Sequence, residues 1–290
     1  MNDTLQRFVF EGLPIRGEVA HLDATWRAVL ERHDYPPVLR KNLGELMAAG
    51  ALIAATLKFE GSIILQLQGD GPVQLIVVEC TSEQTLRATA KWTGELDAAA
   101  TLGALLGRGR FVITLAPGEG KQTYQGIVEI DPSGVAASLE HYMQTSEQLD
   151  TRLWLAAGDA HAAGLLLQKL PAADDPDEDS WNRATQLAAT LTASELIEFP
   201  ARKLLHRLYH QEDIRLFEPR PVSFRCSCTN ERVDSMLRML GHAEVRSIIA
   251  ERETLEVKCE FCNRAYHYDS VDAEQLFAAT VPAPSGATRH

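Results

Sequence analysis

Phe224-Arg225-Cys226-Ser227-Cys228 and Lys258-Cys259-Glu260-Phe261-Cys262-Asn263-Arg264 carry four of the five cysteines of the chain, as two tight pairs with thirty residues between them. Pairs this close are not the spread of a disulfide framework. In a reducing compartment they read as metal ligation or redox chemistry. Thiolates from Cys226, Cys228, Cys259 and Cys262 can converge on one tetrahedral ion, and a sulfur set at about 2.3 Å suits zinc, whose filled d shell imposes no other geometry. The flanking residues agree. Leu255 to Lys258 and Arg264 to Tyr268 alternate like two short strands around the Cys-Glu-Phe-Cys turn, a knuckle that aims both sulfurs inward. Between the pairs, Val233, Met236, Leu237 and Leu240 keep helical spacing, and Gly241 is placed to end the helix. One reading is an inert zinc that staples a module too small for its own core. The first pair, however, is Cys-x-Cys instead of the usual ribbon Cys-x-x-Cys. Each pair is close enough to close a disulfide if the metal leaves, the tighter one in a more strained ring, so a redox switch is a second reading.

Upstream, Pro219 and Pro221 break the chain, and the C-terminal module starts near Val222. Trp181 to Phe217 is helical in pattern: Leu187 and Leu191 fall four apart, Thr192 and Glu195 have capping-box spacing, and Pro200 opens a turn leading to Leu204, Leu205 and Leu208. These helices have apolar faces that need a cover. Before them, Pro171 to Ser180 packs five acidic residues and two prolines into ten positions, which reads as a mobile hinge. Residues 1 to about 170 are mixed α and β. Strands are expected at Arg7 to Glu11, Ile15 to His21, Ser62 to Gln68, Val73 to Cys80, Arg110 to Leu115, Gln125 to Ile130, Arg152 to Ala156 and Leu165 to Lys169. Gly69-Asp70-Gly71-Pro72 reads as a hairpin turn, and helices are expected at Ala24 to Arg32 and Val38 to Lys58. The last ten residues read as a frayed tail.

At 290 residues, the chain has room for about two folding units and a sizeable core. The longest apolar run, near Met47 to Leu57, is too short to span a bilayer and reads as a buried helix. The N-terminus lacks the features of a secretory signal, so a cytoplasmic location is expected. The 28 basic and 40 acidic residues leave a net charge of -12, a surface that repels nucleic-acid phosphates and anionic membranes.

Remaining motifs carry little chemistry. Cys80 ends an apolar strand and reads as an inert buried thiol. His242 and His267 lie inside the module, but four sulfurs already complete a tetrahedron. Pro117 to Gln122 superficially resembles a phosphate loop, yet Leu115 and Gln122 stand where glycine and a magnesium-binding hydroxyl belong, so a hairpin turn is expected. No hydrolytic constellation is visible. Trp26, Trp92, Trp154 and Trp181 read as packing residues.

The cysteine pattern at the end of an acidic chain of this size resembles the redox-regulated 33 kDa heat-shock chaperone family. Arg7-Phe8-Val9-Phe10 with Ile15-Arg16-Gly17-Glu18, Gly69-Asp70-Gly71-Pro72, Tyr124-Gln125-Gly126-Ile127-Val128, Tyr142 with Ser146-Glu147-Gln148, and Ala163 to Gln168 are similar to that family as well, so the resemblance covers nearly the whole chain. It implies an α+β fold: a mixed β-sheet client-binding domain with packed helices (1–170), an acidic and helical redox-responsive linker (171–221), a small zinc-binding switch domain (222–280) and a tail (281–290). It implies a holdase and no enzyme. One zinc ion on Cys226, Cys228, Cys259 and Cys262 keeps the reduced form inactive. Oxidation forms the Cys226-Cys228 and Cys259-Cys262 disulfides, releases zinc, unfolds the linker and exposes surface for unfolded clients. Homodimerisation on activation and client transfer to the 70 kDa heat-shock system are implied in the same way. Two other classes remain open. A nucleic-acid-binding zinc ribbon is disfavoured because residues 220–290 carry 9 basic and 10 acidic side chains, with no cationic footprint. A dithiol oxidoreductase is disfavoured because its Cys-x-x-Cys would open a helix, whereas Glu260-Phe261 joins two apparent strands.

Overall fold

Segments that alternate apolar and polar residues lie in strands throughout the computed structural model, which describes residues 3–57, 60–118, 121–171 and 177–278. These divide into two units, Met1–Arg225 and Cys226–His290. Along the first, a hairpin of β1 (Thr4–Phe10) and β2 (Ile15–Leu22) leads into α1 (Ala24–Leu30) and the long α2 (Pro37–Thr56). A meander of β3 (Gly61–Gln68), β4 (Val73–Thr81) and β5 (Thr85–Trp92) follows, then α3 (Leu102–Leu106), β6 (Arg110–Pro117), β7 (Tyr124–Glu129) and α4 (Val135–Thr145). A second hairpin, β8 (Thr151–Ala157) and β9 (Ala162–Lys169), precedes α5 (Ser180–Ala188), α6 (Ala193–Glu198) and α7 (Ala201–Tyr209). The unit closes with three short strands, β10 (Ile214–Leu216), β11 (Arg220–Pro221) and β12 (Ser223–Phe224).

One sheet has the order β10-β1-β2-β9-β8, with β11 also on β1; the other has the order β12-β5-β4-β3-β6-β7. All pairs are antiparallel except β12 on β5. Helix α2 lies between the two sheets. Most of its residues from Val38 to Ala54 are buried, as a helix apolar on every side requires. Its fit is close: a Cβ on Gly44 would come within 2.5 Å of Ala157 Cβ. Leu43, Met47, Leu65, Ile76 and Leu166 belong to this main core, with Trp26 buried among them and its Nε1 donating to the Gly158 carbonyl at 2.8 Å.

A second core occupies the other face of the first sheet. Alternation in β1 and β9 sends Phe8, Phe10, Leu165 and Leu167 to that face, where they meet Leu196, Leu204, Leu205, Leu208 and Tyr209 of α6 and α7. Gly17 makes room for the Phe8 ring, which a side chain there would strike. Tyr209 packs edge-on against Phe10 at 5.0 Å between ring centroids, and its hydroxyl donates to the Ala184 carbonyl of α5 at 3.1 Å. The buried His21 ring nitrogen Nε2 lies 3.0 Å from the Leu196 carbonyl, and its pairing there joins β2 to α6. Helix α6 begins with the expected reciprocal capping box of Thr192 and Glu195, and α7 starts directly after Pro200.

The structure departs from the sequence expectations in several places. Trp181 to Phe217 is not helical to its end: Ile214–Leu216 pairs with β1 as β10, because that short alternating segment meets an open sheet edge. Strand β5 and helix α4 were not expected from the sequence. The former alternates Thr, Arg and Lys with small Ala88 and Ala90, which mutes the period. The end of the second expected helix at Lys58, residues 119–120 of the expected turn, residues 172–176 of the acidic stretch and the tail lie outside the described residues. Among the described residues, no helix is long and apolar enough to cross a membrane.

The second unit contains α8 (Asn230–Leu240), α9 (His242–Arg252), the hairpin β13 (Leu255–Lys258) and β14 (Ala265–Tyr268), and α10 (Ser270–Ala278). Gly241, at φ 96°, ends α8 as its position suggested; α9 beyond it was not anticipated. The core here is small: Val233, Leu237, Val245, Ile249, Tyr266, Ala273 and Leu276.

Candidate metal centre

Each cysteine pair is delivered by a local device. Cys259 directly follows β13 and Cys262 precedes β14; the Cys259 amide donates to the Arg264 carbonyl at 3.0 Å, and the Asn263 amide donates to the Cys259 carbonyl at 2.8 Å. That turn places Asn263 at φ 59°, a left-handed conformation that Asn tolerates better than most residues. Cys226 and Cys228 lie directly ahead of α8, whose N-cap Thr229 accepts from the Arg232 amide at 3.3 Å, while Arg232 Nη1 donates to Ser227 Oγ at 2.6 Å. The loop between the two sulfurs is thereby tied to the first turn of the helix.

The four Sγ atoms all lie within 4.8 Å of one another. Sulfurs of different pairs approach closely: Cys226 Sγ lies 3.6 Å from Cys259 Sγ, and Cys228 Sγ lies 3.3 Å from Cys262 Sγ. A tetrahedron with metal–sulfur bonds of about 2.3 Å has edges of about 3.8 Å, so the set is already near the size such an ion requires. The cluster fits a metal site. All four residues are half-buried, and among the described residues no other group of three or more such side chains is drawn together in this way. His242 instead contacts Glu274 at 3.2 Å, and His267 faces Glu256 at 3.7 Å.

Thiols this crowded do not titrate alike. Burial works to raise Cys228, but the Tyr266 hydroxyl and the neighbouring sulfurs outweigh it and hold this thiol down at about 7. Burial and hydrogen bonding within the cluster push Cys262 up to about 12, and burial raises Cys226. Charge therefore settles first on Cys228, and a cation at the centre would favour it on all four. Tyr266 was not foreseen from the sequence. Its hydroxyl is buried, has no other hydrogen-bond partner and belongs to the site; its alternation toward the knuckle in β14 was the available signal. Neither Cys259 nor Cys262 opens a helix, so the arrangement of a dithiol oxidoreductase is not formed. Cys80 stands apart. It is fully buried, with its thiol raised by burial.

Comparison with known proteins bears on the whole chain. The family described as Hsp33 protein matches residues 3–269. The 33 kDa chaperonin of Methylobacillus flagellatus is 50% identical over 292 residues, covering 100% of this chain and 99% of that protein. The 33 kDa chaperonin of Nitrosococcus oceani is 48% identical, covering 99% of each. A crystal structure of the 33 kDa chaperonin (heat shock protein 33 homolog) of Thermotoga maritima superposes with a TM-score of 0.82 at 19% identity, over 96% of this chain and 99% of that one, a likeness of fold.

Proposed function

Because the chain belongs to the Hsp33 protein family, a family of chaperones and not of enzymes, we propose that it is a redox-switched holdase for unfolded proteins, silent when reduced and active when oxidised. The observation that carries this reading is the convergence of Cys226, Cys228, Cys259 and Cys262 within 4.8 Å, in a unit whose own core is small. Zinc is the ion the four sulfurs would hold, and it would supply fixed positive charge that keeps them as thiolates. A structural site of that kind is worth about 10 to 16 kcal/mol, as much as the whole stability of a typical domain. The small unit therefore depends on its sulfurs remaining available.

Oxidation removes them. In each pair, two thiols and one peroxide give one disulfide and two waters, the electrons passing from sulfur to peroxide oxygen. We assign the products as Cys226-Cys228 and Cys259-Cys262, because partners one or two residues apart trap a sulfenic acid quickly and stop oxidation at a reversible stage. Cys226 lies two residues beyond Phe224 of β12, so disorder in the second unit is passed along the chain into β12, β11 and β10. Loss of those pairings loosens α5 to α7, and the second core opens: Phe8, Phe10, Leu165 and Leu167 on the sheet, Leu204, Leu205 and Leu208 on the linker. Non-native clients would bind that apolar surface, with residues 1–170 as the client-binding domain, 171–221 as the linker and 222–280 as the switch. The net charge of -12 would help keep the complex dissolved. Cytoplasmic action, homodimerisation on activation and transfer of clients to the 70 kDa heat-shock system follow from the same reading.

The test compares reduced and peroxide-treated protein for bound zinc and for suppression of light scattering by a thermally unfolding client. The reduced form should carry one zinc and suppress little; the oxidised form should have lost zinc and suppress strongly. Equal suppression by both would overturn the switch.

A further inference from the structure

Strand β7 is an open edge of the second sheet. Among the described residues its only strand neighbour is β6, in an unbroken antiparallel register from Arg110 opposite Glu129 to Leu115 opposite Tyr124. Its other side carries the unpaired backbone groups that invite another strand. Few of the usual protections are present: of Tyr124–Glu129 only the terminal Glu129 is charged, there is no proline, and there is no bulge in its pairing. Two of the large exposed apolar side chains of the chain are here, Tyr124 at 50% and Ile127 at 57%.

The outer face of the sheet leads to the same edge. Thr89, Val77, Gln66, Val112 and Ile127 are successive cross-strand neighbours from β5 to β7, an uncharged row. Thr89, Val77 and Val112 are buried, although the two valines belong to none of the three cores, and the row comes to the surface at Ile127. On one side of this row Arg110 faces Glu129, and on the other Thr114 faces Gln125, whose Nε2 donates to Thr114 Oγ1 at 3.2 Å.

We propose that β7 captures an extended segment of an unfolded polypeptide by strand addition. Backbone pairing selects for extension and not for sequence, which suits a protein that must hold many clients. The row of side chains selects an apolar residue beside Ile127, and Glu129 together with the overall charge of -12 favours a basic flank. The proposal rests on the chaperone reading and adds a distinct property to it. The β7 edge is open while α5 to α7 cover the second core, so a redox-independent grip, too weak to suppress aggregation, precedes the strong grip that oxidation adds.

The experiment uses the full chain, reduced and zinc-loaded or peroxide-treated, and fluorescein-labelled α-lactalbumin that has been reduced and carbamidomethylated so that it cannot refold. The reduced chain should bind this probe weakly. Ile127→Lys and Tyr124→Lys should each weaken binding about tenfold. Met239→Lys, with the same charge change at a side chain 82% exposed in the other unit, should leave it unchanged. In the wild-type chain, amide exchange over Tyr124–Glu129 should slow about tenfold at saturating probe, a readout that needs no variant. Wild-type affinity in both edge variants would overturn the proposal. So would protection that grows with chain concentration in the absence of probe, since a second copy would then occupy the edge. Binding only after oxidation would sink the edge and leave the switch standing; edge-dependent binding that oxidation does not strengthen would do the reverse.

Discussion

At Cys228 the surroundings and the sequence pattern meet in one atom: a sulfur held near neutrality by the Tyr266 hydroxyl and by three other sulfurs. Removing one donor should be enough to undo the site. Cys262→Ser is expected to abolish stoichiometric zinc binding and cost most of the roughly 10 kcal/mol or more that such a site contributes. Circular dichroism should then show loss of α8 to α10; retained helix and metal would refute the ligand assignment. A different residue gives a pH signature. Glu18 is buried in β2, and burial raises its carboxyl to about 7. Such a carboxyl keeps its proton in the folded chain where the unfolded chain has lost it. Its contribution is thus complete below the ordinary carboxylate range and is lost as pH rises through 7. The Tm of the wild type relative to Glu18→Gln should fall between pH 5 and 8, by an amount equivalent to about 1 to 3 kcal/mol. A difference independent of pH would contradict the burial argument.

Among the elements, α7 carries the clearest consequence, because its apolar face closes the second core. Tyr209→Ala removes a ring packed on Phe10 together with the hydrogen bond to Ala184. The expected cost is about 3 kcal/mol. The reduced variant should bind a hydrophobic dye and hold client without oxidant; a variant as silent as the wild type would show that this face is not what clients meet. Elements with long range in sequence were the hardest to foresee. The knuckle, the Thr192 capping box and the Gly241 stop are local and could be read directly. Helix α4 carries Leu139, Tyr142 and Met143 at helical spacing, a signal that small Ala136 and Ala137 weaken in its first turn. Strands β10 to β12 are two or three residues long, too short to show a period, and their partners lie more than a hundred residues away. Nothing local marks such residues as strand. The four-sulfur site was legible because its spacing survives in the sequence; Tyr266 was not, because its role depends on which face of β14 turns toward the sulfurs.

For the whole molecule, the question is whether the two units share a fate. Stripping the metal from the reduced chain with a strong chelator should speed amide exchange by at least about tenfold throughout the second unit and also in α5 to α7. Exchange in β3, β4 and α2, anchored in the main core, should stay slow. If the second unit melts while α5 to α7 keep their protection, metal loss and client surface are uncoupled and the switch fails.

The route between them is narrow. Ile214 to Phe224 touches one sheet through β10 and β11 and the other through β12, in ladders of three, two and two residues. Fastenings this short resist a tug from the C-terminal end one rung at a time, like tape lifted from its corner, so no single large force is needed to free them. If the proposed switch acts through them, a gentle trigger would uncover a broad surface, and re-fastening would begin as soon as the first rung finds its register.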